Sequence, residues 1–245
     1  MARALRAIWL GIVDAYNELF PVVGMNLLWL VLNIPLTLVG LIVVQVASQT
    51  MTVPDEAKQS FAILFSVLLA LLLVLGPNPA ASGIHLWANR LVNEERVEFS
   101  LFWEGFRAYW RPALLLWLIS GLGTVLLVAN ALFYLNMDVA IVKVIGVIFL
   151  YAIVLWLAMQ MYMMPLLVEQ EDKRVRLVLR NAFFLTMAHI VPTLVIFVVL
   201  TVLVLVSVAV TLLVALLTAS VVALVMARAL QILLERYRPT AAARD

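Results

Sequence analysis

The chain has 245 residues, of which 66% are hydrophobic and only 12% are charged, and its formal net charge at pH 7 is +2. Soluble domains are about 45–50% apolar and about 25% charged, so a water-soluble fold could not hide this much apolar surface. Because the chain has no cysteine, a disulfide framework, a thiol nucleophile and a thiolate metal site are also excluded.

The N-terminal segment, residues 2–20, has the pattern of an amphipathic helix. Its apolar positions recur at helical spacing, and they are Leu5, Ile8, Trp9, Ile12, Tyr16 and Leu19. Arg3, Arg6 and Asp14 fall mostly elsewhere on the helical wheel. These charges exclude a membrane span, so we expect a helix that lies in the membrane interface. Pro21 then precedes a first span, predicted at 22–47.

Glycine and proline interrupt the next apolar region. After a polar loop at 48–60, a second span is predicted at 61–84, and Gly76, Pro77, Asn78 and Pro79 break its pattern. Prolines in a helix remove a backbone hydrogen bond and cause kinks. A broken helix can expose backbone groups to a solute, whereas a packing kink needs only neighbouring polar groups. These four residues are a candidate kink or solute path, and we favour the kink.

An aromatic and basic segment, residues 99–111, follows a charged link at 93–98. Its aromatic rings are expected on one face of a helix with arginines beside them, and the residues of interest are Phe99, Phe102, Trp103, Phe106, Arg107, Trp110 and Arg111. Aromatic and basic side chains favour the membrane interface. We therefore predict a second interfacial helix, whose face contacts either lipid or a partner helix.

Four further spans are predicted at 112–135, 144–168, 190–208 and 211–234. A charged link at 169–176 and a third amphipathic segment at 174–189 lie before the last two. Residues 190–227 contain no Asp, Glu, Lys or Arg. As one helix, these 38 residues would extend about 57 Å, against a hydrocarbon core of about 30 Å. A turn is therefore expected between residues 207 and 211.

The distribution of basic residues predicts the topology. All of the 16 lysines and arginines except Lys58 and Lys143 fall on the N-terminus, the links at 85–111 and 169–189, and the C-terminal tail with Arg228, Arg236, Arg238 and Arg244. The positive-inside rule then places both termini in the cytoplasm. The sequence thus predicts an all-α polytopic membrane protein, with six transmembrane helices and cytoplasmic amphipathic interfacial helices in one domain, 1–245.

The predicted elements repeat in order along the chain. An amphipathic segment, a proline and two spans occur three times, at Pro21, Pro112 and Pro192. This order raises the hypothesis of an internal repeat, which is common in transporters. Duplication of a hairpin without any transport role would leave the same pattern.

Motifs in the first half of the chain resemble one family. NLLW at 26–29, G-x-x-P-A at 76–80, the basic Arg90 and an aromatic segment with Phe102 and Phe106 occur in this order. Together they resemble the YesL family, bacterial membrane proteins that carry the DUF624 domain. The resemblance covers most of residues 1–120, although NLLW and G-x-x-P-A lie closer together in the family. It implies an inner-membrane protein that is often encoded beside carbohydrate ABC-transporter components, and it implies no catalytic residues.

Polar residues inside the predicted spans have two interpretations. Asn26, Asn33, Asn130 and Gln160 could line a solute path. Such groups more often form hydrogen bonds between helices, for about 1 kcal/mol each. We favour hydrogen bonding between helices.

Catalytic motifs are missing from the sequence, which has no nucleophile elbow, zinc-protease pattern or phosphate-binding loop. No ionisable side chain falls clearly at mid-membrane, where proton relays need one. We therefore expect no enzyme activity, no cofactor, no metal and no nucleic acid partner. The leading hypothesis is a non-enzymatic accessory linked to carbohydrate uptake, with the lipid bilayer and ABC-transporter components as partners. The alternative is a small solute transporter or channel, and a homo-oligomer is compatible with either hypothesis.

Overall fold

Helices form almost all of the regular structure in the computed structural model, which describes residues 1–235. In chain order they are α1 (Ala2–Asn17), α2 (Leu19–Thr50), α3 (Asp55–Val74), α4 (Pro79–Val92), α5 (Ser100–Leu135), α6 (Ala140–Gln160), α7 (Met163–Glu169), α8 (Val175–Ala188), α9 (Ile190–Ala209), α10 (Thr211–Leu216) and α11 (Thr218–Leu234). The described residues contain no strand, and the predicted all-α class is confirmed. Arg236, Arg238 and Arg244 of the predicted basic tail lie outside the described residues.

Within residues 1–235, five stretches of helix are long and apolar enough to cross a membrane: α2, α3, α5, the α6–α7 stretch and α9. Their outer faces expose large apolar side chains such as Val31, Leu122, Ile148 and Val202. Contiguous apolar surface of this kind requires lipid as its solvent. The protein is therefore a multi-pass membrane protein. The last predicted span, 211–234, consists of two short helices, α10 and α11, which meet at Leu217.

The first polar loop is shorter than the sequence predicts. Helix α2 continues to Thr50 and α3 begins at Asp55, so only residues 51–54 separate them. Pro54 precedes the helix, and Asp55 and Glu56 occupy its first turn, where acidic side chains interact favourably with the helix dipole. Most of the polar segment 48–60 therefore extends two membrane helices.

Prolines mark the junctions between amphipathic helices and long helices. Helices α1 and α2 separate at Glu18, and α8 and α9 separate at His189. Each junction lies just before a proline, Pro21 or Pro192, whose ring crowds the preceding turn and whose nitrogen cannot donate. At Pro112 the helix is not interrupted, so the predicted interfacial helix at 99–111 and the predicted span at 112–135 form one helix, α5.

The chain reverses direction between α9 and α10. Helix α9 ends at Ala209 and α10 begins at Thr211, which lies in the segment where the sequence predicts a turn. Thr218 Oγ1 is 2.8 Å from Ser207 Oγ. In one continuous helix the rise between these two residues would be about 16 Å. The uncharged block at 190–227 is therefore folded back on itself.

Three short helices, α4, α7 and α11, form the centre of the protein and contact one another. We call them the central helices. Each is also covered by an amphipathic helix: α4 by the start of α5, α7 by α8, and α11 by α1 from the other end of the chain. These contacts, α4 with α5, α7 with α8 and α11 with α1, close into a ring within the described residues.

Small residues bring the backbones close together in this ring. A Cβ atom added at Gly11 of α1 would lie 2.6 Å from Val225 Cα of α11, and one added at Gly105 of α5 would lie 2.7 Å from Ser82 O of α4. Helices in membranes associate through such close contacts, because lipid provides no hydrophobic drive between them. Two of the ring contacts therefore depend on glycine at the interface.

An ion pair also joins α1 to α11, the contact that closes the ring. Arg228 Nε of α11 lies 2.6 Å from Asp14 Oδ2 of α1, and Arg228 Nη2 lies 2.9 Å from Asp14 Oδ1. This bidentate geometry is the strongest that an arginine and a carboxylate can form. The two side chains are only 21% and 16% exposed, so solvent screens the pair incompletely.

Candidate functional site

The predicted break at Gly76–Pro79 lies inside the protein and joins α3 to α4. The Asn78 side chain spans the joint: Oδ1 accepts a hydrogen bond from Ala81 N at 2.9 Å, and Nδ2 donates one to Leu73 O at 2.7 Å. Asn78 is fully buried. The side chain thus replaces backbone hydrogen bonds at the end of one helix and the start of the next. This geometry is that of a packed kink.

A second break, between α10 and α11, is held by Asn26 of α2. Asn26 Nδ2 donates to Val214 O and Ala215 O, both at 2.7 Å, and Asn26 Oδ1 accepts from Ala219 N at 2.8 Å. In a continuous helix, Ala219 N would donate to Ala215 O. The Asn26 amide therefore takes the place of a missing helical hydrogen bond.

The sequence contained a signal for this contact but not its target. Asn26 stands out as a polar residue in an apolar span, and such residues usually bond to another helix. Its partners lie more than 180 positions away in the sequence. No local pattern identifies a helix break that is completed from the opposite end of the chain.

The third break, between α6 and α7, was not predicted. Tyr162 at the break forms a hydrogen bond with Thr193 of α9, with 3.0 Å between their hydroxyl oxygens. The preceding Gln160 donates from Nε2 to Thr124 Oγ1 of α5 at 3.3 Å. Its Oε1 atom would lie 3.2 Å from a Cβ atom added at Gly76. Gln160 therefore lies between the first and third breaks.

The aromatic segment 99–111 divides between the core and the surface, which corrects the prediction of a single aromatic face. Phe102 is fully buried and, with Gly105, packs on α4 around Gly83. The reason is that two glycines let the α5 backbone approach α4 closely. Phe106 is half-buried. The residues left on the surface are Phe99, Trp103, Arg107, Trp110 and Arg111, which we call the exposed aromatic face.

The central helices end together at what we call the charged end of the protein. There Asn89 Nδ2 of α4 donates to Glu169 Oε2 of α7 at 2.7 Å. The cavity between the ends of α4, α7 and α11 is only about 10 Å³, which is about the space of one water molecule. Within residues 1–235, no group of three or more His, Asp or Glu side chains is placed to hold a metal ion.

Lys173 closes the end of α7. Its Nζ atom donates to Val168 O at 2.7 Å, as cations commonly do at helix C-termini, and it lies 5.1 Å from the centre of the Tyr109 ring. Burial lowers the pKa of Lys173 from its ordinary value, while the negative charge of Glu169 opposes this shift. The link after α7 is thereby fastened to α5.

A larger cavity lies among α2, α3, α9 and α10, and its volume is about 270 Å³. Asn33 lines it and is 1% exposed. Its Nδ2 atom donates to Trp29 O at 3.0 Å, but Oδ1 has no hydrogen-bond partner within the described part of the chain. Asn130 likewise bonds to its own helix, at Leu126 O, through a hydrogen bond that is exposed, and the residue is half-buried.

Together these features define the class of protein: an all-α, multi-pass membrane protein built on three mutually packed central helices. No protein-family model, curated protein or solved structure matches the chain.

Proposed function

We propose that the protein is a non-enzymatic accessory of a membrane complex and that it presents the exposed aromatic face to a partner. The observation that carries this proposal is the two-sided packing of α5. Its inner side is fixed on α4 through Phe102 and Gly105, while Trp103 and Trp110 are each about 40% exposed on the other side. Tryptophan and arginine dominate binding energy at protein interfaces.

Contacts among the side chains of the exposed aromatic face support a docking role. Arg111 Cζ lies 5.3 Å from the centre of the Trp110 ring, and Trp103 packs edge-to-face on Phe106 with 6.2 Å between ring centres. Side chains that are already ordered lose less conformational entropy when a partner binds. The face is therefore suited to a helix of a second membrane protein.

The proposed partner is a component of a carbohydrate ABC transporter in the bacterial inner membrane. The motifs at 26–29 and 76–80 and the aromatic segment at 99–111 support this partner through their resemblance to the YesL family. Under this proposal the charged end faces the cytoplasm, because the segments 85–111 and 169–189, which adjoin the ends of α4 and α7, carry most of the lysines and arginines among residues 1–235.

Co-purification from the native membrane tests the proposal. We expect the double variant Trp103→Ala, Arg107→Ala to recover about tenfold less partner than the wild type, as two interface anchors are lost. The matched control is Arg6→Ala, Trp9→Ala, which removes an exposed arginine and an exposed tryptophan from α1. Equal recovery by both double variants would mean that the face rests on anionic lipid headgroups.

The second candidate function is a small solute transporter or channel. The observation that favours it is the presence of a break before each central helix, because transporters build solute sites from discontinuous helices in repeated units. The narrow cavity of about 10 Å³ at the charged end makes this function secondary. Solute flux into liposomes that contain only the purified protein would favour the transporter over the accessory.

A further inference from the structure

We propose that the cavity beside Asn33 is a binding site for an uncharged, chain-like alcohol that enters from the bilayer. We call it the Asn33 cavity. Its walls come mostly from apolar side chains such as Leu69, Leu73 and Val204. A site with apolar walls and a few polar groups is the usual form of a small-molecule pocket.

The polar atoms at this wall define the chemistry of the ligand. Asn33 Oδ1 is a buried acceptor without a donor among residues 1–235. Thr37 Oγ1 donates to Asn33 O at 2.9 Å, and Thr218 Oγ1 lies 2.9 Å from Leu213 O, to which it donates. The hydroxyl protons of both threonines are thus committed within the protein. The cavity is also lined by Ser66, which carries a hydroxyl, and by Trp29, which carries an indole N–H. The buried acceptor at this wall that lacks a donor within the described residues is Asn33 Oδ1, so the matching ligand carries a donor.

A hydroxyl group is the donor that fits a site at this depth. A buried amide oxygen that is left unpaired destabilises the protein, and lipid supplies no water to pair it. An ammonium group would carry a charge into hydrocarbon, which costs far more than a neutral group. A neutral alcohol supplies one proton without that cost.

The volume sets the size of the ligand. An apolar cavity of about 150 Å³ accommodates benzene, which has six carbon atoms. By this scale the Asn33 cavity, at about 270 Å³, accommodates about ten or eleven carbon atoms. The occupant is therefore a medium-chain alcohol, or a similar segment of a longer hydroxylated lipid.

Photocrosslinking in lipid nanodiscs tests this site. The probe is 1-decanol carrying a diazirine near the end of its chain, and labelled positions are read by peptide mass spectrometry. We expect labelling to concentrate on α3 and α9 at the cavity wall and to fall at least fivefold in the presence of excess unlabelled 1-decanol. The methyl ether of the same probe, which has no donor, should label these positions at least fivefold less.

Three variants make the test specific for this cavity. Asn33→Leu removes the acceptor and should reduce labelling by the alcohol to the level of the ether. Ala70→Phe fills the cavity from α3 and should abolish labelling by both probes. Asn130→Leu removes the same kind of side chain from a half-buried position outside the cavity and should change nothing. Each variant is compared only if it elutes as a single species.

Two results would overturn the proposal. Equal labelling by the alcohol and the ether in the wild-type protein would show that the probe merely partitions into apolar surface. Unchanged labelling in both Asn33→Leu and Ala70→Phe would show that the probe binds elsewhere.

Discussion

Three asparagines illustrate how one residue type acts differently at three places in the same fold. Asn78 joins the two helices on either side of its own break. Asn26 completes a break in a helix from the far end of the chain. Asn33 donates to Trp29 O of its own helix, while its Oδ1 atom, at the cavity wall, has no hydrogen-bond partner among residues 1–235. In lipid, each buried amide must find a partner or bear a cost.

Replacing Asn26 tests the asparagine that forms the most hydrogen bonds of the three. Asn26→Leu leaves two carbonyl groups and at least one backbone N–H without partners at the α10–α11 break. We expect the free energy of unfolding to fall by about 2 kcal/mol or more, since each buried unpaired group costs about 1–3 kcal/mol. Reversible denaturant unfolding in mixed micelles would measure it.

Asn130→Leu is the matched control for this experiment. Within residues 1–235, Asn130 bonds to Leu126 O of its own helix, and that hydrogen bond is exposed, so we expect a change within about 0.5 kcal/mol. If both leucine variants lose the same stability, Asn26 does not hold the break together.

At the scale of helices, the ion pair between α1 and α11 adds to the glycine contact at the same interface. Gly11 allows the backbones to meet, and Asp14 and Arg228 then fix the register of the two helices. A bidentate pair is directional, whereas close apolar packing tolerates small shifts along the helix axis. The two contacts therefore have complementary roles in closing the ring.

Neutralising this pair should destabilise the ring. Asp14→Asn leaves the Arg228 charge partly buried and uncompensated, so we expect a loss of about 2 kcal/mol in the free energy of unfolding. A double-mutant cycle with Arg228→Gln should give a coupling energy of at least about 1 kcal/mol. Chemical unfolding of the four proteins would provide both values.

The exposed pair Lys58–Asp55 is the control for the ion-pair experiment. Asp55 is 97% exposed, and exposed pairs contribute about 0–1 kcal/mol. Asp55→Asn should therefore change stability much less than Asp14→Asn. Equal losses would argue that the α1–α11 contact rests on packing alone.

Local sequence patterns predicted which helices and turns occur better than they predicted the residues at which each helix begins and ends. The block at 190–227 was correctly expected to turn, because hydrocarbon thickness limits the length of a span. The polar segment 48–60 was assigned to a loop, yet most of it is helical, because polar residues can extend a helix beyond the hydrocarbon. Phe102 was placed on the surface, because helical spacing cannot show that Gly83 and Gly105 bring a second helix against it.

At the scale of the whole molecule, the sequence contained the order of elements but not the closure of the ring. The threefold order of amphipathic segment, proline and apolar helices can be read directly along the chain. The contact between α1 and α11 joins opposite ends of the chain, and no periodicity relates them. Composition likewise predicts the membrane class, whereas no sequence pattern predicts that α4, α7 and α11 pack together at the centre.

The arrangement of turns and links predicts which parts of the chain share a side of the membrane. Because the chain lacks cysteine, single cysteines can report accessibility without background. We expect Thr52→Cys and Asp138→Cys to react with an impermeant maleimide from one side of sealed vesicles. Glu95→Cys and Asp172→Cys should react only from the other side, because a membrane-crossing stretch separates each link from each turn.

Inverted vesicles provide the control for orientation, since the two labelling patterns should exchange. Labelling of all four positions from the same side would contradict the arrangement of α3–α4 and α6–α7 as crossing stretches.

The ring of contacts has a consequence for synthesis. Helix α1 leaves the ribosome long before α11, the helix that covers its small-residue face. The 200 residues between Asn17 and Thr218 take about 10–40 s to translate at about 5–20 residues per second. During that time α1 lies at the membrane surface while Gly11 and Asp14 lack their contacts with α11. Every incomplete chain therefore exposes the face of α1 that α11 later covers. A membrane quality-control protease could recognise this face until α11 has been made.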